Sequence, residues 1–255
     1  MKRLPILISI PHGGTVVPPE LESRLAIGRK EIFEDSDPFT QQIYDPKERV
    51  KYVVKATVAR AFVDPSRSVS DLPPKNPDGV IKSHTCFGKT IYKSGMQPTQ
   101  PEVSLLLEKY HRPFHNEIQA IVNDRENNLE LCLDCHSMEE TGPAIAPDTG
   151  KNRPVICLGN RFGAASPDAM IQKLKSCLMM AFELDETDIA VNKPFAGGFI
   201  TRNYGNNPLP WIQVEMNRML YLKKPHFNPE TLEISDEKIE DLNGRFYLAL
   251  KNYFS

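Results

Sequence analysis

Nothing in the 255 residues tilts the charge far to either side: 31 Lys and Arg face 33 Asp and Glu, for a formal net charge of -2. No net basic charge therefore points to nucleic acid or to an anionic membrane surface. Apolar runs approaching the ~18 residues of a spanning helix are also missing, which excludes that class. Cysteine is sparse, with five residues, and in this context reads as reduced thiols rather than a disulfide framework. The start, MKRLPILISIPHGG, has two basic residues but only a short apolar stretch, Leu4–Ile10. Pro5 interrupts that stretch and a His-Gly-Gly turn closes it, which fits a first strand better than a signal peptide. A cytoplasmic protein with no nucleic-acid or membrane partner is the expectation.

Proline, by contrast, is plentiful at 22 residues. It is not pooled in one tract but marks the ends of apolar runs and populates loops near 73–77, 98–101 and 143–154. No repeat or linker divides the chain, so one domain over residues 1–255 is expected. Apolar runs at 4–10, 52–57, 60–63, 129–135, 154–158 and 211–214 read as buried strands. Helical spacing lies between them. Over 101–125, Val103, Leu106, Leu107, Tyr110, Phe114, Ile118 and Ile121 recur mostly at three and four. Residues 168–182 show a second such face, and a last helix capped by Ser235 carries Ile239, Leu242, Phe246, Ala249 and Tyr253. Strands alternating with helices predict an α/β sandwich around a mostly parallel or mixed sheet. In such sheets chemistry sits where strands end and loops begin.

The polar clusters fall at those ends. The first strand runs into Pro11-His12-Gly13-Gly14, placing a histidine on a rigid element beside glycines that permit close approach. Alone, His12 reads as a turn histidine bonded to a carbonyl. The segment 129–138 repeats the arrangement, delivering Asp134-Cys135-His136-Ser137 at the end of a buried strand. Two such histidines can meet over the sheet edge, where neutral imidazoles are good zinc ligands and a carboxylate can complete the set. Cys132 and Cys135 form a CxxC, but no second pair of ligands exists and the spacing lies inside a strand, so both read as packing residues. Glu34-Asp35-Ser36-Asp37 is expected to open an amphipathic helix through Ile43 and Tyr44, where either aspartate could equally serve as a cap or first-turn acid. Val63-Asp64-Pro65-Ser66-Arg67 ends another run with an acid and an arginine, either a carboxylate clamp or a salt bridge between the two. Glu215, within the apolar run Trp211-Ile212-Gln213-Val214, needs a partner or a metal or its pKa rises, which makes it a general-base candidate.

Seven segments in order resemble the N-formylglutamate amidohydrolase family: residues 9–14, 35–37, 63–67, 110–115, 134–138, 192–198 and 213–218. The resemblance spans about residues 4–221. It implies kinship with zinc carboxypeptidases and aspartoacylases, a three-layer α/β/α phosphorylase/hydrolase-like fold and one catalytic zinc. It further implies His12 and His136 as zinc ligands and Glu215 as the base. Three residues after His12 stands Thr15 rather than the glutamate of carboxypeptidases, so the third ligand comes from elsewhere, and the family pattern favours Asp37 over Asp35. Arg67 corresponds to the substrate clamp of these relatives, with Ser66 where they carry Asn. Arg202, Asn217 and Arg218 are further substrate-binding candidates, the arginines facing either an oxyanion or a substrate carboxylate.

The expected function is hydrolysis of the N-acyl, most simply N-formyl, amide of an acidic amino acid by zinc-activated water. The alternatives are a carboxypeptidase-like peptidase acting on small peptides and a non-catalytic anion-binding domain that keeps the fold.

Overall fold

The computed structural model describes residues 3–144 and 146–255. Six strands form one sheet: β1 (Leu4–Ile10), β2 (Val50–Lys55), β3 (Leu131–Met138), β4 (Ile156–Gly159), β5 (Ile189–Val191) and β6 (Trp211–Asn217), in the order β2-β1-β3-β6-β4-β5. The first four in that order run parallel, and β4 turns antiparallel against β6 with β5 parallel to it. The sheet is thus mixed, as expected. β3 and β6 lie at its centre and are buried along their whole length.

Period-two alternation gives each central strand two faces. Leu131, Leu133 and Cys135 of β3 join Ile212, Val214 and Met216 of β6 in the largest core. Helices α5 (Asp168–Phe182) and α7 (Asp236–Tyr253) cover that side. The Ser235 cap position and the acids Asp236 and Glu237 in the first turn suit the start of α7. The opposite side is covered by α4 (Arg112–Asn123) and the short α6 (Phe199–Tyr204), through Phe114, Ile118, Val122, Ile200 and Tyr204 against Leu7, Cys132 and Trp211. These are the three layers that the family resemblance implies. Among the described residues no helix is long and apolar enough to cross a membrane.

Three expectations are corrected. The run 60–63 is not a strand: Phe62 and Val63 both donate their N–H to the Ala59 carbonyl in a turn buried within a second core. A short apolar run specifies burial, not extension. The helix predicted over 101–125 is α3 (Gln100–Leu106) and α4 joined by a π-helical segment, Leu107–His111. Pro113 lacks the N–H that would continue the regular ladder, which suits a local widening there. Residues 34–44 do not form one helix either. Asp35 ends α1 (Arg29–Asp35), and Asp37 sits in the bend before the single turn α2 (Thr40–Ile43), with Phe39 at φ 62° breaking the helix.

Gly14 serves backbone rather than ligand. A Cβ there would lie 2.2 Å from the Val58 carbonyl, because the chain after β1 bonds directly to the Thr57 carbonyl.

Candidate metal centre and surrounding cleft

The face of β3 and β6 turned toward α6 carries no continuous apolar surface. In register, Asp134 pairs with Gln213 and His136 with Glu215, while Ser9 of β1 lies beside Asp134. His12 follows β1 directly, so its ring hangs over the same carboxyl end of the sheet as His136. Asp37 is drawn in by its backbone N–H, which donates to the His12 carbonyl at 3.0 Å, and by Ser137 N–H, which donates to Oδ2 at 3.0 Å.

Three side-chain donors converge as a result. The Nδ1 atoms of His12 and His136 are 3.0 Å apart, and Asp37 Oδ2 lies 3.4 Å from the first and 3.3 Å from the second. All three residues are buried. Two nitrogens on a tetrahedral zinc, each ~2.0–2.1 Å from the ion, stand about 3.3 Å apart. The donor set and its spacing therefore fit zinc. Lone pairs so close are repulsive unless a cation or proton lies among them, which gives the fit a physical reason.

Each imidazole is backed by a carboxylate. His12 Nε2 is 2.7 Å from Asp64 Oδ1, and His136 Nε2 is 3.1 Å from Asp134 Oδ1. The second contact is off the hydrogen-bond line, and among the described residues neither atom has a hydrogen-bond partner. Asp134 is held in turn by the Thr201 hydroxyl, which donates to Oδ2 at 3.1 Å. Carboxylates at Nε2 favour the proton there and leave Nδ1 as the ligating atom. Burial acts to raise Asp64, but His12 and Arg60 outweigh it and hold the carboxyl well below its usual range. Asp37 behaves likewise, burial being overcome by hydrogen bonds from both histidines and by the Arg218 charge. Burial acts to lower His136, yet Asp134 and Asp37 raise it well above an ordinary histidine. Without a metal, a proton takes the place of the cation, so metal and proton compete for this ring.

Glu215 borders the cluster from β6. Burial lifts its pKa to about 8, opposed by the His136 charge and by a hydrogen bond from Gln213. Gln213 Nε2 donates to Glu215 Oε1 at 2.6 Å, and Gln213 Oε1 accepts from the Gly198 N–H. That backbone donor fixes which way the amide points, so nitrogen must face the carboxylate.

The cleft above these groups has a volume of about 560 Å³, and Arg60, Arg67, Arg153, Arg202 and Arg218 contribute to its walls. They are not equivalent. Arg67 is partly exposed and pairs with Asp78 at 2.8 Å more tightly than with Asp64 at 3.9 Å. Arg202 is exposed on α6 and, among the described residues, its side chain makes only a distant contact with the Phe199 ring. Arg218 departs from the expectation of substrate binding: its buried guanidinium is taken up by Asp37 Oδ1 at 3.0 Å, Ser36 O, Glu34 O, Ser137 Oγ and Glu139. It braces Asp37. Asn217 also departs, being fully buried and outside the cleft lining. Its amide caps Met219 N at 2.9 Å and donates to the Pro154 carbonyl at 3.1 Å. A strand-end amide facing backbone has no polarity to spare for a ligand. Asp35, the acid passed over in favour of Asp37, is paired with the buried Lys82 at 3.1 Å and accepts from Cys86 N–H.

Sequence reasoning missed Arg60, which lay inside the supposed strand 60–63. Its half-buried guanidinium has Nη1 3.3 Å from His12 Nδ1 and Nη2 3.6 Å from Asp64, while Nε finds no hydrogen-bond partner among the described residues. Gln213 was also missed as a functional residue, although its place two residues before Glu215 on one strand face was a usable signal.

A family profile described as N-formylglutamate amidohydrolase matches residues 4–222. The N-formylglutamate deformylase of Pseudomonas aeruginosa is 26% identical over 227 residues, 86% of this chain and 83% of that protein. Its Pseudomonas putida counterpart is 26% identical over 229 residues, covering 87% and 83%. Among solved structures, N-formylglutamate amidohydrolase from Ralstonia eutropha JMP134 superposes with a TM-score of 0.80 at 19% identity, over 100% of this chain and 94% of that one. A gene product of Agrobacterium tumefaciens gives 0.68 at 14% identity, over 97% and 89%. These superpositions show a shared fold.

Proposed function

Because the chain belongs to the N-formylglutamate amidohydrolase family, we propose that it hydrolyses the N-formyl amide of an acidic amino acid such as N-formylglutamate. His12, Asp37 and His136 would hold a zinc ion for that reaction. The observation that carries the reading is the convergence of three donor atoms at 3.0–3.4 Å. Glu215, its pKa lifted to about 8 by burial, stands on the neighbouring strand.

Zinc bound there would polarise the amide carbonyl and acidify the attacking water. Glu215 accepts the water's proton and returns it to the leaving amine, since a carboxylate tuned toward neutrality can serve in both directions. Gln213 occupies Oε1 and so directs the other oxygen to the reaction. Arg60, with donors left over beside His12, is placed to take up charge developing on the carbonyl oxygen, a contribution of about 3–4 kcal/mol for a good donor. Arg67 and Arg202 stand farther out on the cleft wall and are suited to the substrate's carboxylates, which two planar forks bind well. A cytoplasmic setting accords with five cysteines that are all free.

The test is formate or acetate release from a panel of N-formyl and N-acetyl amino acids and an N-formyl dipeptide. N-formyl acidic amino acids should be cleaved fastest, with extension beyond the scissile amide rejected. Equal or faster cleavage of extended peptides would replace the amidohydrolase reading with a peptidase.

A further inference from the structure

The helix running through α3 and α4 carries two buried histidines, His111 and His115, that take no part in the chemistry above. They are one turn apart with rings 4.3 Å from centroid to centroid, and both face the turn 64–67. His115 Nε2 is 2.9 Å from the Pro65 carbonyl, and His111 Nε2 is 2.9 Å from the Arg67 carbonyl. A carbonyl only accepts, so both Nε2 atoms carry protons. On its other side His115 Nδ1 is 2.7 Å from the Tyr204 hydroxyl. Burial and the neighbouring His111 push His115 down to about 4, while burial pushes Tyr204 up to about 12. The tyrosine hydroxyl is therefore the donor and a neutral His115 the acceptor.

What this chain of bonds grips is the support of His12. Asp64 Oδ1 receives both His12 Nε2 at 2.7 Å and Ser66 N–H at 2.8 Å. The direction of the Asp64 carboxylate is thus tied to the backbone of the turn whose Pro65 carbonyl His115 holds. The far end, Tyr204, belongs to α6, whose Thr201 holds Asp134 behind His136. One short helix therefore anchors the carboxylates behind both histidines.

We propose that Tyr204, His115 and the Pro65 carbonyl form a positioning device that sets Asp64 and, through it, turns His12 Nδ1 toward the metal. His115 is its central positioning residue. The inference rests on the zinc reading above and adds a residue separated from His12 by three hydrogen bonds, at the Pro65 carbonyl, from Ser66 N–H to Asp64 and from His12 to Asp64.

The test measures the zinc dissociation constant by chelator competition, alongside the thermal midpoint of the metal-free chain, for wild type, His115→Leu, His115→Gln and Tyr204→Phe. Leucine removes both hydrogen bonds. Glutamine can donate to Pro65 and accept from Tyr204. Phenylalanine removes only the hydroxyl and leaves the ring stacked on Trp211. His115→Leu should weaken zinc binding by about tenfold, the lower end of the cost of losing a direct partner of a ligand, because His115 acts on Asp64 through the turn. Tyr204→Phe should weaken it less, and His115→Gln should recover most of the loss. A metal-free midpoint that moves little supports positioning over general stability. Wild-type zinc affinity in both His115→Leu and Tyr204→Phe overturns the proposal, as does a His115→Gln variant as weak as His115→Leu. Should His115→Leu not fold, Tyr204→Phe decides: weakened zinc binding with an unmoved metal-free midpoint supports the proposal, and wild-type zinc affinity overturns it. A wild type that takes up no zinc overturns the metal reading itself, and the positioning role falls with it.

Discussion

The two faces of β3 and β6 are buried alike but differ in what burial accomplishes. On one face Leu133, Cys135, Ile212 and Val214 are almost wholly excluded from water among α5 and α7. On the other, Asp134, His136, Gln213 and Glu215 are no more than 6% exposed, yet every one is polar. The apolar face gains stability from each contact. The polar face carries groups whose desolvation is costly and is offset only by partners reaching in from α6, the turn 64–67 and the bend at Asp37. The same alternation that builds a core on one side therefore presents a prearranged set of acids and imidazoles on the other. Substitutions on the two faces should separate stability from chemistry.

The largest effect should follow loss of a histidine at the cluster. His136→Ala or His12→Ala should lose zinc and reduce deformylation to background while the circular dichroism spectrum remains that of the folded chain. Zinc retained at wild-type stoichiometry and affinity would remove that histidine from the ligand set. Asp37→Ala should also weaken the site, and more than Asp35→Ala, since Asp35 faces Lys82.

Glu215→Gln comes next. It keeps shape and zinc but cannot accept a proton, so kcat should fall by ~10²-fold or more with KM little changed. Loss of metal in this variant would instead make Glu215 a ligand. The same substitution has a signature in the metal-free protein. A carboxyl raised from 4.5 to about 8 by folding favours the folded state fully below pH 4.5, and that contribution is lost as pH rises toward 8. Glu215→Gln should therefore raise the thermal midpoint relative to wild type at pH 8 more than at pH 5. An equal change at both values would show that Glu215 titrates normally.

Arg67→Lys should lower kcat/KM for acidic substrates by about tenfold, because an ammonium cannot reproduce the guanidinium fork. Zinc content should stay normal. Unchanged kinetics would reduce Arg67 to the structural partner of Asp78. The smallest effect on turnover belongs to the apolar face: Leu133→Ala should cost about 2–5 kcal/mol of stability while kcat per folded molecule stays put. A drop in kcat without loss of stability would break the division between the faces.

That division also explains what the sequence made legible. β1, β3 and β6 are apolar enough to be read as strands, and a histidine or glutamate inside such a run stands out against it. His136 and Glu215 were visible for that reason, whereas His12, which follows its run and alone reads as a turn residue, was marked as a ligand by the family resemblance. Asp64 was visible only as a neighbour of Arg67, because its partner His12 lies 52 positions away. Arg60 was hidden inside a run that folds as a buried turn. Asn217 shows the opposite failure, facing backbone outside the cleft, while Arg218 lines the cleft wall but spends its guanidinium on Asp37 and the segment around it. The spacing Glu215-Met216-Asn217-Arg218 does not say which of these a polar strand end will do. Lys82 carried no signal at all, since it lies with Asp78 in a long connection without regular structure and its other acid, Asp35, ends α1 47 positions away.

The central claim is that the polar face works through a metal held by His12, Asp37 and His136. Its most direct test is formate release from N-formylglutamate by protein stripped with a chelator, verified metal-free, and then supplied with one equivalent of zinc. The account predicts loss of activity on stripping and its return with zinc in the wild type, with no return in His136→Ala. Full activity in the stripped, metal-free wild type would contradict it.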